Sequence, residues 1–89
     1  MEDYSMETIV SKIIDLVWQV KEGKIDKNDL NRDSSLIIDA GLDSLQLINF
    51  ILLVEDEYNI EIDFDSFDYK LLEKIESFCE FIKIQIKKD

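Results

Sequence analysis

Ser44 carries the hydroxyl best placed for covalent chemistry in this sequence. It follows Asp43 and precedes Leu45, inside the stretch AGLDSLQL at residues 40–47. Catalysis by a serine nucleophile needs a base, and the 89 residues include no histidine, so a Ser-His-Asp arrangement is excluded. The G-x-S-x-G pattern of a nucleophile elbow is also absent. What remains is a hydroxyl at the predicted start of a helix, with an aspartate in the N-cap position before it.

Two interpretations of Ser44 are open at this level. In the first, Asp43 and Ser44 only form a polar helix N-terminus, which is common for both residue types. In the second, the hydroxyl accepts a phosphate group, because backbone N–H groups and the helix dipole favour an anion attached at that end of a helix. The choice between them depends on the elements that surround the serine.

The net charge of −11 is concentrated in the middle of the chain. Residues 33–69 contain no Lys or Arg and account for ten of these negative charges. The acids of this stretch are Asp33, Asp39, Asp43, Glu55, Asp56, Glu57, Glu61, Asp63, Asp65 and Asp68. Such a charge repels phosphates and argues against nucleic-acid binding. The acidic stretch is expected to be either a solvated face or a docking surface for a basic partner.

Three features bear on the compartment of the protein. The single cysteine, Cys79, excludes an intrachain disulfide framework and is spaced like a core thiol. The acidic N-terminus, residues 1–4, lacks the basic stretch of a secretory signal. The longest apolar run, residues 50–54, is too short to cross a bilayer. We therefore expect a cytoplasmic protein with no membrane span.

Hydrophobic periodicity predicts an all-α chain that forms a single domain over residues 1–89. Ser5 is the expected N-cap of the first helix, and Gly23 lies just past its end. The predicted main helices span residues 5–21, 44–58 and 72–86, and one short helix is expected at 64–69.

The connection at residues 22–42 has no convincing helix or strand period and is long for a compact domain. Its apolar residues are expected to pin it across the helices; they are Ile25, Leu30, Leu36, Ile37, Ile38 and Leu42. A long ordered loop is more often functional than accidental. We therefore expect this loop to hold the segment that leads into Ser44.

The second helix is apolar on more sides than one core face needs. Its expected core face consists of Leu47, Phe50, Ile51, Val54 and Tyr58. A separate stripe lies roughly a third to a half of a turn away. This stripe, named the ridge below, consists of Leu45, Ile48 and Leu52. If the packing of three helices leaves the ridge exposed, it is expected to contact partner proteins.

The segment GLDSLQLINFILLVEDEYNIEI, residues 41–62, resembles the prosthetic-group segment of acyl carrier proteins. The Asp-Ser-Leu triplet at 43–45 matches the core of the family motif, and residues 55–58 match its acidic-then-aromatic helix end. Residues 33–36 and Asp39 resemble the loop that precedes the motif. The resemblance covers nearly the whole chain, and the long loop and acidic helix end make it more specific than the triplet alone.

This resemblance implies a small acyl-carrier-like bundle of three main helices and one short helix, and a carrier protein rather than an enzyme. A separate phosphopantetheinyl transferase would attach 4′-phosphopantetheine from coenzyme A to Ser44, and the thiol of this arm would hold an acyl or aminoacyl group as a thioester. Asp43 would cap the helix and be recognised by the transferase. Partner contacts would be made by Leu45, Ile48, Leu52, Glu55 and Asp56. Loading ligases and downstream synthase or transferase enzymes would be the other partners of a monomeric carrier.

Departures from the patterns of the known subclasses favour a specialised pathway. Carriers of fatty-acid synthesis usually place acids two and five residues after the serine, where this chain has Gln46 and Asn49. Nonribosomal peptide carriers usually have a Gly-Gly pair where this chain has Gly41 and Leu42. The segment at residues 64–81 is longer than in compact fatty-acid carriers. The chain is more similar to stand-alone carriers of specialised pathways, with the D-alanyl and other aminoacyl carriers as the alternative.

Two further interpretations compete with the carrier. A helical adaptor in which Ser44 is only a helix cap is the main rival, and a phosphopantetheinylation assay separates the two. The acids within residues 63–68 suggest calcium, but the EF-hand pattern fails because Phe67 holds its fifth position and Lys74 its twelfth. We therefore expect no specific metal site.

Overall fold

A computed structural model describes residues 5–63 and 65–87 of the chain. Its three α-helices are α1 (Met6–Val20), α2 (Ser44–Tyr58) and α3 (Ile75–Lys87), and 3₁₀ segments lie at Lys27–Asp29 and Tyr69–Glu73. No β-strand occurs in the described ranges. The all-α prediction is confirmed, and α2 has the predicted bounds. No helix in the described ranges is long and apolar enough to span a membrane.

The first helix begins and ends where its local signals predict. The Ser5 hydroxyl oxygen accepts a hydrogen bond from the backbone N–H of Thr8 at 3.3 Å, as expected of an N-cap. After the helix, Gly23 adopts φ +74° and its N–H donates to the carbonyl of Trp18 at 3.0 Å. The chain leaves the helix at Glu22, with φ 57°, and Gly23 continues in the left-handed region that favours glycine. The buried stripe of α1 consists of Ile9, Val10, Ile13, Leu16 and Val17.

The third helix begins three residues later than predicted, at Ile75 instead of Leu72. Lys74 is extended, with ψ 134°, and separates α3 from the 3₁₀ segment that contains the buried Leu72. The N–H groups of Ile75 and Glu76 donate at 2.8 Å to loop carbonyls, one of them that of Ser34. Distant backbone therefore takes the place of a local N-cap, which local sequence patterns do not reveal.

The short helix predicted at residues 64–69 is also displaced. Phe64 lies outside the described residues, and the helical segment in this part of the chain runs from Tyr69 to Glu73. Asp68 explains the start of that segment, because its carboxylate accepts a hydrogen bond from the Lys70 N–H at 3.0 Å. The prediction of one short helix was therefore correct in kind and wrong in position.

The loop between α1 and α2 is ordered by a hydrogen-bonded turn. Leu30, Leu36 and Leu42 are buried as predicted, whereas Ile37 and Ile38 are exposed. The Ser35 hydroxyl accepts from the N–H groups of both isoleucines, at 3.2 and 3.0 Å. This turn faces them away from the core, so the expectation that Ile37 and Ile38 pin the loop was wrong.

The core lies where α1 packs against both α2 and α3. Phe50 of α2 and Phe78 of α3 are fully buried, with ring centroids 5.5 Å apart. Cys79 is buried in the same cluster, as predicted for a core thiol. Desolvation by burial raises the pKa of the Cys79 thiol to about 12. The side of α2 that faces this core is thereby fixed, and with it the direction of every other α2 side chain.

Candidate functional site

The start of α2 is held by a reciprocal pair of hydrogen bonds. Asp43 is extended at the N-cap, and its carboxylate accepts from the Gln46 N–H at 2.8 Å. The Gln46 side-chain oxygen in turn accepts from the Asp43 N–H at 3.2 Å. This is a capping box, in which two backbone donors that a helix start leaves unpaired are both satisfied. Asp43 is therefore confirmed as the N-cap. The capping role of Gln46 was not predicted, although the D-x-x-Q spacing of residues 43–46 was a signal for it.

Ser44 is the first residue of α2 and is exposed to solvent. The capping box on either side of it holds its backbone in the first helical turn, where the dipole favours a negatively charged substituent. An exposed hydroxyl at this position is accessible to an external enzyme and is suited to accept a phosphate. The chain supplies no histidine to make it a nucleophile by itself.

The residues before Ser44 are anchored to the loop turn. The Ala40 N–H donates to the Ser35 carbonyl at 3.0 Å, and the Leu42 N–H donates to the Leu36 carbonyl at 3.2 Å. Ala40 and Leu42 are buried, at 2% and 3% exposure. The chain therefore has a buried anchor immediately before the cap, and the loop holds the segment leading into Ser44 as predicted.

A lysine from outside this segment also contacts it. The Lys21 ammonium donates to the Gly41 carbonyl at 3.1 Å and to the Gln46 side-chain oxygen at 3.5 Å. Both contacts join the end of α1 to the start of α2. The sequence alone does not indicate a role for Lys21, because no local pattern relates it to residues so far along the chain.

The ridge is exposed, as the packing of α2 on one face predicts. Leu45 is 67% exposed, Ile48 46% and Leu52 52%. Isolated exposed apolar residues are ordinary, but three on one stripe beside Ser44 form a contiguous apolar surface. This arrangement is suited to contact with a partner protein.

The two acids predicted to flank the ridge have different environments. Asp56 is exposed, whereas Glu55 is half-buried and its carboxylate accepts from the Ile62 N–H at 2.7 Å. Ile62 is itself buried, so this bond satisfies a donor that has little access to water. Glu55 therefore has a structural role that the sequence pattern did not indicate, while the charge of Asp56 is directed to solvent.

The sequence of this chain is similar to those of known proteins. A protein family described as "Phosphopantetheine attachment site" matches residues 14–82. An acyl carrier protein of Syntrophus aciditrophicus is 30% identical over 78 residues, which cover 88% of this chain and 92% of that protein. One from Lactobacillus acidophilus is 38% identical over 61 residues, with coverages of 68% and 74%. One from Nitratidesulfovibrio vulgaris is 32% identical over 79 residues, with coverages of 89% and 95%.

Proposed function

Because this chain belongs to the acyl carrier protein family and is a phosphopantetheine-bearing carrier, we propose that Ser44 is the residue to which the prosthetic group is attached. The observation that carries this proposal is the exposed Ser44 hydroxyl on the first turn of α2, within the matched region. A helical adaptor in which Ser44 is only a cap has no comparable support from the relatives.

The other serines of the matched region fit the group less well. Ser34 and Ser35 are buried, and their hydroxyls accept hydrogen bonds that hold the loop. Ser77 is half-buried within α3. Ser66 is exposed but belongs to a turn. Only Ser44 of these serines combines exposure with the start of a long helix, where backbone N–H groups favour a phosphodiester.

The proposed attachment is a group transfer catalysed by a separate phosphopantetheinyl transferase. The Ser44 oxygen forms a bond to the phosphorus that carries the pantetheine in coenzyme A, and the bond from that phosphorus to 3′,5′-adenosine bisphosphate breaks. The hydroxyl proton passes to a base of the transferase. The bound arm supplies a thiol that carries an acyl group as a thioester.

The residues of this chain present the serine and take no chemical step. Asp43 and Gln46 hold the first turn of α2 by their capping box. Asp43 is also our candidate for recognition by the transferase, and the ridge with Glu55 and Asp56 for contact with partner enzymes. Cys79 is not a suitable nucleophile, because burial keeps its thiol protonated. These features support a carrier without catalytic activity of its own.

We propose a single-domain monomeric carrier that acts in the cytoplasm in a specialised acyl pathway. The neutral Gln46 and Asn49 support this assignment, because they occupy positions that are usually acidic in carriers of fatty-acid synthesis. The structure gives Gln46 a capping role that does not require a negative charge. The loading ligase and the downstream synthase would then recognise a less acidic start of α2 than in fatty-acid carriers.

The attachment residue is tested by intact-mass measurement after incubation with coenzyme A and a broad-specificity transferase. Wild type is expected to gain one phosphopantetheine, Ser44→Ala none, and the matched exposed-serine control Ser66→Ala one. Ser44→Ala should keep its helical circular dichroism because the capping side chains Asp43 and Gln46 are retained. Modification of Ser44→Ala, or failure of wild type with every transferase tried, would overturn the proposal.

A further inference from the structure

Lys21 connects the end of α1 to the segment that contains Ser44. It is the first residue after α1, and its ammonium contacts the Gly41 carbonyl at 3.1 Å and the Gln46 amide oxygen at 3.5 Å. The first distance is an ordinary hydrogen bond and the second is at the long end of the range. Because the acceptors lie 20 and 25 residues further along the chain, both contacts depend on the tertiary fold.

The two acceptors of Lys21 flank Ser44 in sequence. Gly41 precedes the cap, with φ +71°, and the Lys21 nitrogen is 3.6 Å from the position of a Cβ built on it. Gln46 follows the serine, and the same side-chain oxygen that faces Lys21 accepts from the Asp43 N–H. One ammonium therefore contacts the backbone before Ser44 and the capping box that holds the turn after it.

Lys21 lies in a cleft that Ser44 does not line. Gln46 is two residues beyond Ser44, or about 200° round the helix. The cleft that contains Lys21 has a volume of about 420 Å³ and is lined on the α2 side by Asp43, Leu45, Gln46 and Asn49. Lys21 can thus fix the backbone without covering the hydroxyl.

Lys21 brings a positive charge to a segment that has none. Residues 33–69 contain no Lys or Arg, so the segment around Ser44 has no cation of its own. The ammonium of Lys21 comes to it from α1 and hydrogen-bonds two neutral oxygens. Hydrogen bonds from a charged donor are stronger than those between neutral groups.

We propose that Lys21 is a positioning residue for phosphopantetheine attachment: it fixes the backbone on both sides of Ser44 so that the hydroxyl meets the transferase in one orientation. This inference rests on the proposed role of Ser44. Group transfer depends steeply on the placement of the attacking atom, since a displacement of about 1 Å can slow a reaction by about a hundredfold. The capping box remains when Lys21 is removed, so a smaller loss is expected.

Lys24 provides a matched control in the same cleft. It is exposed, and it pairs with Glu22 at 3.7 Å instead of contacting α2. Lys21→Met and Lys24→Met each remove one positive charge and keep an unbranched side chain. Lys21→Arg keeps a cationic donor. The variants therefore separate positioning from net charge.

The experiment measures steady-state transfer from coenzyme A to the full-length carrier by a broad-specificity transferase. Lys21→Met is expected to lower kcat about tenfold with no rise in KM, because the serine is displaced while the docking surface is intact. Lys21→Arg should recover most of the rate. Lys24→Met should leave kcat unchanged, since the Lys24 ammonium pairs with Glu22. It should also leave KM no higher, since removing a cation from an acidic carrier does not weaken its encounter with a basic partner.

Amide hydrogen exchange gives a second readout that does not depend on any partner. The Asp43 and Gln46 amides should exchange faster in Lys21→Met than in Lys24→Met, because the capping box loses its support from α1. If Lys21→Met unfolds, Gln46→Met tests the same link from the α2 side. It should lower kcat, and a further Lys21→Gln change in that background should cost less than Lys21→Gln costs in wild type.

The outcomes distinguish this inference from the function on which it rests. Normal kcat for Lys21→Met, or equal losses in Lys21→Met and Lys24→Met, would overturn the positioning role while modification of wild type at Ser44 still stands. If wild type is modified at another residue or not at all, the assignment of Ser44 fails first, and the inference about Lys21 fails with it.

Discussion

The two apolar faces of α2 have similar side chains and opposite environments. Phe50, Ile51 and Val54 are at most 1% exposed, whereas Leu45 and Leu52 are 67% and 52% exposed. The neighbours of the helix produce this difference, because the packed helices and the ring of Phe78 lie against one face only. The exposed ridge contributes little to folding, so its apolar character is available for contact with partners.

The largest expected difference between the two faces is in the free energy of unfolding of variants at Phe50 and Leu52. Phe50→Ala should lower the free energy of unfolding by about 3–5 kcal/mol, because it leaves a cavity beside Phe78. Leu52→Ser should change it by less than about 1 kcal/mol, since an exposed side chain loses little burial. Urea unfolding of both variants measures the two values.

Leu52→Ser should also affect partner contact, which Phe50→Ala cannot test because it destabilises the fold. Leu52→Ser should reduce turnover of the carrier by partner enzymes while the fold is retained. A large loss of stability in Leu52→Ser would show that the ridge belongs to the core. Unchanged turnover with every partner tested would show that contacts are made elsewhere.

The buried cluster is also expected to make stability depend on alkaline pH through Cys79. Burial raises its pKa from 9.0 to about 12, with Glu76 and Glu80 adding to the shift and Arg32 opposing it. Between these values the unfolded thiol ionises while the folded thiol stays protonated, so the folded state is destabilised as pH rises. The protonated Cys79 thiol contributes fully to the free energy of unfolding below pH 9. Above pH 9 that free energy falls by up to about 1.4 kcal/mol per pH unit.

Cys79→Ala isolates this contribution, because all other titrating groups are common to both proteins. The stability of wild type should fall more steeply above pH 9 than that of the variant. Thermal or urea unfolding in matched buffers measures the difference in slope. Equal slopes would contradict the raised pKa of the buried Cys79 thiol.

Glu55 and Asp56 extend the comparison to the charged edge of the ridge. Glu55→Ala should cost about 1–3 kcal/mol, because it leaves the buried Ile62 N–H without its acceptor. Glu55→Gln keeps an oxygen acceptor and should cost less. Asp56→Ala should have little effect on stability, since Asp56 is exposed.

Salt dependence gives the smallest effect and tests the docking role of these acids. Association of wild type with the transferase should slow as salt rises, because screening weakens steering between an acidic and a basic surface. Glu55→Gln combined with Asp56→Asn should flatten this dependence in stopped-flow measurements. An equally steep dependence in both proteins would assign the steering to other acids of residues 33–69, and a flat dependence in both would assign recognition to the ridge and the start of α2.

Local signals were sufficient to predict most of the helical framework. The bounds of α2 were correct because Asp43 begins the helix and Asn59, at φ 54°, ends it in the left-handed conformation. The start of α3 was wrong because its N–H groups bond to the loop carbonyls of Arg32 and Ser34. The position of Ser44 was predictable, whereas its support by Lys21 was not.

The sequence by itself determined the helical class, the start of α2 at Ser44 and the exclusion of a histidine-assisted serine. These properties depend on composition or on residues within one or two turns of each other. The tertiary structure decided which face of α2 is buried and that the Glu55 carboxylate accepts a hydrogen bond from the Ile62 N–H. It also brought Lys21 to the Gly41 carbonyl and to the Gln46 side chain of the capping box. Burial and long-range hydrogen bonds depend on which elements meet in space, and a one-dimensional pattern specifies that only indirectly.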